Sequence, residues 1–583
     1  MTTLLTRFDE NVAARPDTVA CHFYAEDEWT TQTWAEHQRN LRLFGRALLA
    51  RGLKKADTVG ILGFNRPEWA ASLLGTMAAG GAGAGIYTPN SPEQVRFILD
   101  HAKSRFVVVE NAEQLAKVEE VRSTLPNLEH VIVMDAGDVR GDAISFADFL
   151  DSGADYPEED LMAVQESLDT QDLATLIYTS GTTGVPKAVM LSHGNVIETV
   201  YAFAKMFTVT HEDVCFSYLP LAHIAEQMNS VVLPTYTGST TYYVRSLESM
   251  PEDLRRARPT VFFAVPRVWE KFMSGILAKL NDAPPLRRGL ANWARKVCYK
   301  VTVLGHAEKK PGPFLALQHK VAGKITFKVR HALGLDRAHL AVSGAAPVGR
   351  DVLDFFASLG LTIFEVWGLS ETSGPATWNR PGSIQLGTVG PPIIGCEVRL
   401  ADDGEVLVRG TNVFMGYLHN PEATAEAFDG EWFKTGDLGG FDENGYLQIT
   451  GRKKALIITA GGKNIGPEGI EGALKECDLV ADAVVVGDRQ PFLAALLSLD
   501  AEGLERFGDA GDNPVENPRV REAIQAHIDD VNQRRSRVEN IREFRILPRN
   551  LTIEDGELTP TMKVKRQPVH ENWAALIDDI YGG

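Results

Sequence analysis

A chain of 583 residues exceeds one ordinary hydrophobic core, so at least two domains are expected. With 44% apolar and 23% charged residues the composition is that of a folded soluble protein, and a net charge of −18 disfavours nucleic acid as a main partner. The five cysteines, Cys21, Cys215, Cys298, Cys396 and Cys477, are scattered without a CxxC pair, which argues against a disulfide framework or a zinc site and suits a reducing cytoplasm.

No basic-then-apolar leader pattern opens the chain. Residues 8–14 and 34–51 carry helical patterns, the second closed by Gly52. Strands and helices then alternate: a strand at 58–62, a helix from Pro67, a strand at 106–109, a helix at 113–123 and a strand at 131–134. Such alternation predicts a parallel sheet with helices on its faces. The nineteen residues 69–87 are uncharged and long enough to span a membrane. They are mostly Ala and Gly, so a buried helix ending in a Gly-rich turn is expected instead. Residues 151–172 read as an acidic, irregular connection.

That connection leads into Thr179-Ser180-Gly181-Thr182-Thr183-Gly184-Val185-Pro186-Lys187, hung between two apolar runs of strand character. Glycines let backbone N–H groups converge on an anion, hydroxyls add donors, and the lysine supplies a mobile positive charge. A polyphosphate is the natural guest. The order is not that of the Walker loop GxxxxGK[ST]. The string resembles the phosphate loop of the AMP-forming adenylating enzymes: acyl-CoA synthetases, luciferases and peptide-synthetase adenylation domains.

Further on, Pro220-Leu221-Ala222-His223-Ile224-Ala225-Glu226 is similar to the PLxHxxE segment of long-chain acyl-CoA synthetases. Taken alone, His223 fits a satisfied structural histidine; the resemblance implies that it borders the acyl and phosphate sites. Residues 255–337 then reverse the charge balance, with eighteen Lys/Arg against four Asp/Glu. Helical spacing at 272–280, 286–304 and 315–333, broken at Pro284-Pro285 and Pro311-Gly312-Pro313, marks a basic helical insertion over about 270–337. Its surface is either simply solvated or turned toward anionic lipid headgroups or cofactor phosphates.

Two strands follow, each ending in a motif: Ser343-Gly344-Ala345-Ala346-Pro347 and Trp367-Gly368-Leu369-Ser370-Glu371-Thr372. The resemblance implies an adenine slot in which Gly344, Ala345 and Ala346 offer backbone and Trp367 with Gly368 packs on the base. It implies Mg²⁺ on Glu371, with Thr183 as a second ligand, and phosphate on Thr372. The family's usual aromatic is tyrosine; Trp367 keeps the stacking and loses any phenol contact. In the Thr435-Gly436-Asp437 turn a carboxylate can accept from both hydroxyls of a diol, and the family uses this Asp437 for the ATP ribose. Asn444-Gly445 turns a hairpin that runs into Gly451-Arg452-Lys453-Lys454. By resemblance Arg452 also reaches the ribose and Lys454 is a hinge.

The boundary is therefore expected there: residues 1–453 bind ATP and the acyl substrate, and residues 454–583 form a mobile C-terminal domain. In that second part Gly461, Gly462 and Lys463 mark a loop toward the acyl and CoA site. Thr559-Pro560-Thr561-Met562-Lys563 matches the family's terminal catalytic-lysine motif, with Lys563 as the catalytic residue beside Glu371. The expected fold class is α/β: a large domain of layered, mostly parallel sheets and a smaller α+β domain. The function implied is a cytoplasmic long-chain fatty acid–CoA ligase working through an acyl-adenylate, with ATP, Mg²⁺ and coenzyme A. A fatty acyl-AMP ligase that serves a carrier protein shares these motifs. A binding module without catalysis would fit only if Lys563, Glu371 or Asp437 were missing.

Overall fold

The computed structural model describes residues 3–179, 186–461, 463–508, 510–511, 513–559 and 562–582. Ser180, Gly181, Thr182, Thr183 and Gly184 of the phosphate loop, and Gly462 of the second glycine loop, lie outside the described residues.

Pro67–Ala78 is a helix buried on every side, as its uncharged sequence requires. The helix ends in a turn at Gly80, whose φ of 81° is left-handed, but the Gly-rich run beyond it is not a turn: Ala82–Ile86 is a strand in the middle of an eight-stranded sheet. The glycines admit close neighbours, since a Cβ on Gly83 would come within 2.6 Å of Leu73 and one on Gly85 within 2.7 Å of Ala222. The second contact seats the segment before His223 directly on this sheet. From Leu173–Thr179 through Ala82–Ile86, Thr58–Leu62, Phe106–Val109 and His130–Val133 to Ile144–Ser145 the neighbours are parallel. Lys187–Ser192 and Gly416–Tyr417 close the other edge antiparallel.

A second eight-stranded sheet carries Ile363–Leu369, Leu340–Ser343, Val261–Ala264, Val214–Ser217, Thr240–Tyr243 and Val19–Ala25 in parallel order. Antiparallel strands Gly374–Trp378 and Glu28–Thr33 form its edges. The hairpin Val19–Ala25/Glu28–Thr33 was not anticipated, nor was the helix Glu158–Ser167 inside the supposedly irregular acidic stretch. The large core lies between these sheets, around Phe8, Phe44, Trp69 and Leu233. An antiparallel sheet built on Trp432–Phe441 and Leu447–Arg452 follows.

The C-terminal part has a core of its own. Val480–Val486, Leu493–Leu499 and Ile541–Ile546 make a three-stranded sheet, packed with Ile470, Ile524 and Ile528 from its helices. The overall class is the expected one: layered α/β sheets followed by a smaller α+β body. At the seam between the two parts Arg267 donates to Asp500 at 2.8 Å and Ser274 to Asp478 at 3.2 Å. Nearby, a Cβ on Gly349 would stand 2.6 Å from an oxygen of Asp351 and 3.1 Å from one of Glu476. Those two carboxylates thus face each other across the seam.

Candidate active site

Four parallel strands of the second sheet, Val214–Ser217, Val261–Ala264, Leu340–Ser343 and Ile363–Leu369, end at one edge. Ligands of α/β sheets bind outside the carboxyl ends of such strands. A cleft of about 3490 Å³ opens there, lined by Tyr218 and His223, Phe263 and Val265, Ser343 and Ala345, and Glu365 through Glu371. The C-terminal part closes it with Met562, Lys563 and Val564.

Asp437 and Arg452 are cross-strand partners in one antiparallel pair, so a single hairpin delivers both. Oδ1 of Asp437 lies 3.0 Å from Nε of Arg452. That oxygen is buried and makes no hydrogen bond among the described residues, which leaves a lone pair for an incoming hydroxyl. The other oxygen accepts from Trp367 Nε1 at 2.9 Å. Tryptophan therefore supplies a contact that stacking alone did not suggest: its indole N–H fixes the carboxylate assigned to the ribose. Ser343 Oγ is also buried without a partner among the described residues.

Beside it stands Glu365, which motif reading missed. Residues i and i+2 of a strand share a face, so Glu365 had to accompany Trp367 into the cleft; that period was the available signal. Burial pushes its carboxyl up to about 8, against a hydrogen bond from the Gly387 backbone N–H. At neutral pH it carries a proton and offers a donor as well as an acceptor.

At the other end of the cleft Tyr417 donates to Glu371 at 2.9 Å, and Lys187 Nζ lies 4.7 Å from the Tyr417 ring centroid. Tyr417 comes from an edge strand paired with Val189, far away in sequence, and no local motif announced it. Burial raises the Glu371 carboxyl, with Tyr417, Arg452 and Lys187 opposing the shift. A desolvated carboxylate of this kind suits a hard cation that keeps most of its ligands as phosphate oxygens and waters. Thr179 pairs with Lys187 at the mouth of the phosphate loop.

Lys563 retains accessible surface because the cleft is wide, yet protein atoms surround it. Burial, and then Arg452, push its ammonium down to about 8, against the attraction of Asp437. His223 is held below Lys563's reach of protonation: burial and then Lys563 lower it to about 3. Its Nδ1 accepts from the Ala225 backbone N–H at 3.2 Å, capping the helix Ile224–Gln227. The ring is neutral with its remaining proton on Nε2, so it lines the cleft as a donor and is spent as a base. Three residues on, Glu226 is fully buried and accepts from Ser217 at 2.8 Å and Ser230 at 2.6 Å.

Four residues named from the sequence do not line the cleft in this arrangement. Thr372 does not reach the cleft: it is completely buried, and its hydroxyl accepts from Leu369 N and donates to Gly374 O. It shapes the turn that presents Glu371. Gly344 is flanked by lining residues but faces Val366, which a Cβ would approach to 2.6 Å. Gly461 and Lys463 are exposed and away from the cleft in this arrangement. By contrast Ala345, Ala346, Trp367, Gly368, Asp437, Arg452, Lys454 and Lys563 all line it.

The model of a family described as "AMP-binding enzyme" matches residues 8–418, and that of the "AMP-binding enzyme C-terminal domain" matches residues 454–583. The chain belongs to the AMP-binding enzyme family. Curated relatives of this AMP-binding enzyme include a long-chain-fatty-acid–CoA ligase ACSBG2 of Xenopus laevis, 36% identical, covering 98% of this chain and 83% of that protein. A long-chain-fatty-acid–CoA ligase FadD15 of Mycobacterium bovis is also 36% identical, covering 97% of this chain and 95% of the relative. Among solved structures, the adenylation domain of a carboxylate reductase from Mycobacterium chelonae superimposes with a TM-score of 0.78 at 22% identity, over 100% of this chain and 91% of that one. An anthranilate CoA ligase bound to anthranoyl-AMP gives 0.74 at 21%, over 99% and 98%. At those identities the two structures speak for the AMP-binding enzyme fold alone.

Proposed function

We propose that this AMP-binding enzyme is a long-chain fatty acid–CoA ligase. The carboxylate of the acid attacks the α-phosphorus of ATP and releases pyrophosphate. The thiol of coenzyme A then attacks the acyl carbon, gives up its proton and expels AMP. The observation that carries this reading is the continuity of one cleft. Its polar end holds Glu365, Trp367, Asp437 and Lys563, and an apolar limb runs on past Phe272, Ile276, Leu280, Val329 and Leu333. A nucleotide and a long apolar acid fit end to end in it. Each buried methylene adds roughly 0.8 kcal/mol, which favours long chains over short ones.

The geometry supports these roles. Asp437 takes the ribose hydroxyls on Oδ1, which faces Arg452 but makes no hydrogen bond among the described residues, Trp367 packs on the base, and Glu365 meets the base edge. Lys563 places a positive charge where the α-phosphate accumulates negative charge, an electrostatic role that preorganised groups fill well. Lys187 and the loop beginning at Thr179 hold the departing phosphates. Glu371 would hold Mg²⁺, which supplies charge neutralisation on the polyphosphate when bound.

The test is turnover of a panel of acids, from acetate and benzoate to C12–C18 chains of about the length family resemblance implies. CoA and a carrier protein serve as alternative acceptors, and AMP and thioester are read by mass. Long-chain acyl-CoA is expected. Equal turnover of acetate or benzoate would remove the long-chain reading, and transfer to the carrier alone would replace CoA.

A further inference from the structure

The two longest helices of the insertion, Pro285–His306 and Pro313–Leu333, span 22 and 21 residues. Together they hold nine Lys/Arg and not one Asp or Glu, in a chain that carries 77 acidic residues elsewhere. Two of the nine are turned inward. Arg295 donates to Ser358 and lies 4.4 Å over the Phe355 ring, and Arg330 donates to Gly360 O. The rest face outward, and Lys320, Lys324 and Lys328 have no ion pair among the described residues.

What stands between those lysines is apolar. On Pro313–Leu333 the buried side is made by Ala322 and Thr326. The opposite side exposes Phe314 (73%), Leu317 (63%) and Val321 (54%) in helical register with Lys320 and Lys324. Positions three and four apart share one helix face, so rings, branched chains and ammonium groups form one stripe. A merely solvated face would carry mixed charges and few large apolar groups. A nucleic-acid face would share the cations and would gain nothing from the leucine and valine.

We propose that this stripe docks on an anionic lipid bilayer. Phe314, Leu317 and Val321 enter the headgroup boundary while Lys320 and Lys324 meet the phosphates, as interfacial helices do. The placement also has a use, which rests on the fatty acid reading above. The apolar limb of the cleft reaches the surface beside Lys328, Ala332 and Lys279, the first two on the helix that bears the stripe. An acid leaving the bilayer would enter the limb without crossing water.

Flotation of the full chain with phosphatidylcholine vesicles, with and without phosphatidylglycerol, tests the docking apart from catalysis. Binding is expected only with the anionic lipid and should weaken as salt rises. Lys320→Glu with Lys324→Glu should weaken it roughly 30-fold or more. Phe314→Ser with Leu317→Ser should weaken it about tenfold at unchanged charge. Both double variants should keep wild-type turnover of acid presented in solution and lose rate with acid presented in vesicles. Vesicle binding that ignores lipid charge or either double variant overturns the proposal, as does retention on duplex DNA without vesicle binding. Wild-type turnover from solution tests the fatty acid reading separately, so the two can fail independently.

Discussion

The polar chemistry of this cleft rests on a few side chains whose neighbours decide their charge. In the role proposed for it, Lys563 acts only while protonated. Its ammonium is held near 8 by burial and by Arg452, so the charged form prevails below that pH and is lost above it. The kcat/KM for pyrophosphate release should therefore fall along a one-proton limb as pH rises through about 8. The kcat limb should lie higher, because bound phosphate favours the ammonium. Lys563→Arg, whose guanidinium stays charged, should be slower but lack the limb; its persistence would assign the limb elsewhere, Glu365 first. A second residue-scale expectation concerns Trp367. Trp367→Phe keeps the ring and removes the 2.9 Å bond to Asp437. The KM for ATP should rise roughly tenfold or more, since one hydrogen bond to a charged group is worth about 1.5–3 kcal/mol, with little change in kcat. An unchanged KM would show that Asp437 needs no such anchor.

At the scale of elements the edge of the cleft beside Trp367 depends on two strands lying unusually close. Strands Ile363–Leu369 and Gly374–Trp378 pair antiparallel with a register shift between Trp367 and Gly368. A Cβ on Gly368 would fall 1.8 Å from Gly374 O, a backbone atom that cannot step aside. Gly368→Ala should cost roughly 1–3 kcal/mol of stability and weaken ATP binding. Gly440→Ala, where a Cβ meets nothing within 4 Å, should stay within about 0.5 kcal/mol of wild type. Thermal unfolding of the pair decides. The same closeness explains what sequence reading could reach. Alternating apolar runs and Pro/Gly punctuation foretold most strands, the three insertion helices and the hairpin turned by Asn444-Gly445. Ala82–Ile86 escaped because its glycines carry no strand pattern; they exist to let Leu73 and Ala222 approach. Motif strings named Asp437, Arg452, Glu371 and Lys563 by residue type, and the fold brings all four to one cleft. They could not tell that the Thr372 hydroxyl closes a turn, because that depends on its contacts with Leu369 and Gly374. They were silent on Tyr417, which only sheet pairing brings to Glu371.

At the scale of the whole molecule, Lys563 reaches the cleft from the smaller body while the other polar groups stand on the larger one. We propose that this arrangement serves adenylation and that rotation near Lys454 gives a second one for thioester formation, in which the exposed Gly461 and Lys463 turn toward the cleft. Lys563→Ala should slow acyl-adenylate formation by orders of magnitude and still turn synthetic acyl-adenylate and CoA into thioester. Lys454→Pro, which fixes φ, should make the adenylate and pass it on slowly. Single-turnover measurement of each half separates them. Equal loss of both halves in both variants would mean one arrangement serves both steps.

The facing carboxylates at the seam would add a chemical bias to the proposed rotation. Glu476 is pushed up to about 7 by burial, then by Asp351 and by Glu270, while Arg534 and Arg535 pull it back. Parting the two bodies would remove Asp351 and Glu270 and let Glu476 relax toward an ordinary carboxylate. The closed arrangement thus holds a proton that the open one releases, and mild acid should favour closure whereas pH above about 7 should loosen it. Each cycle of opening would then breathe a proton in and out at a site remote from the reacting phosphate. Glu476→Gln, permanently neutral, should make the distance between the two bodies, read by a pair of fluorescent labels, insensitive to pH over that range; a distance that still follows pH would place the coupling in another group.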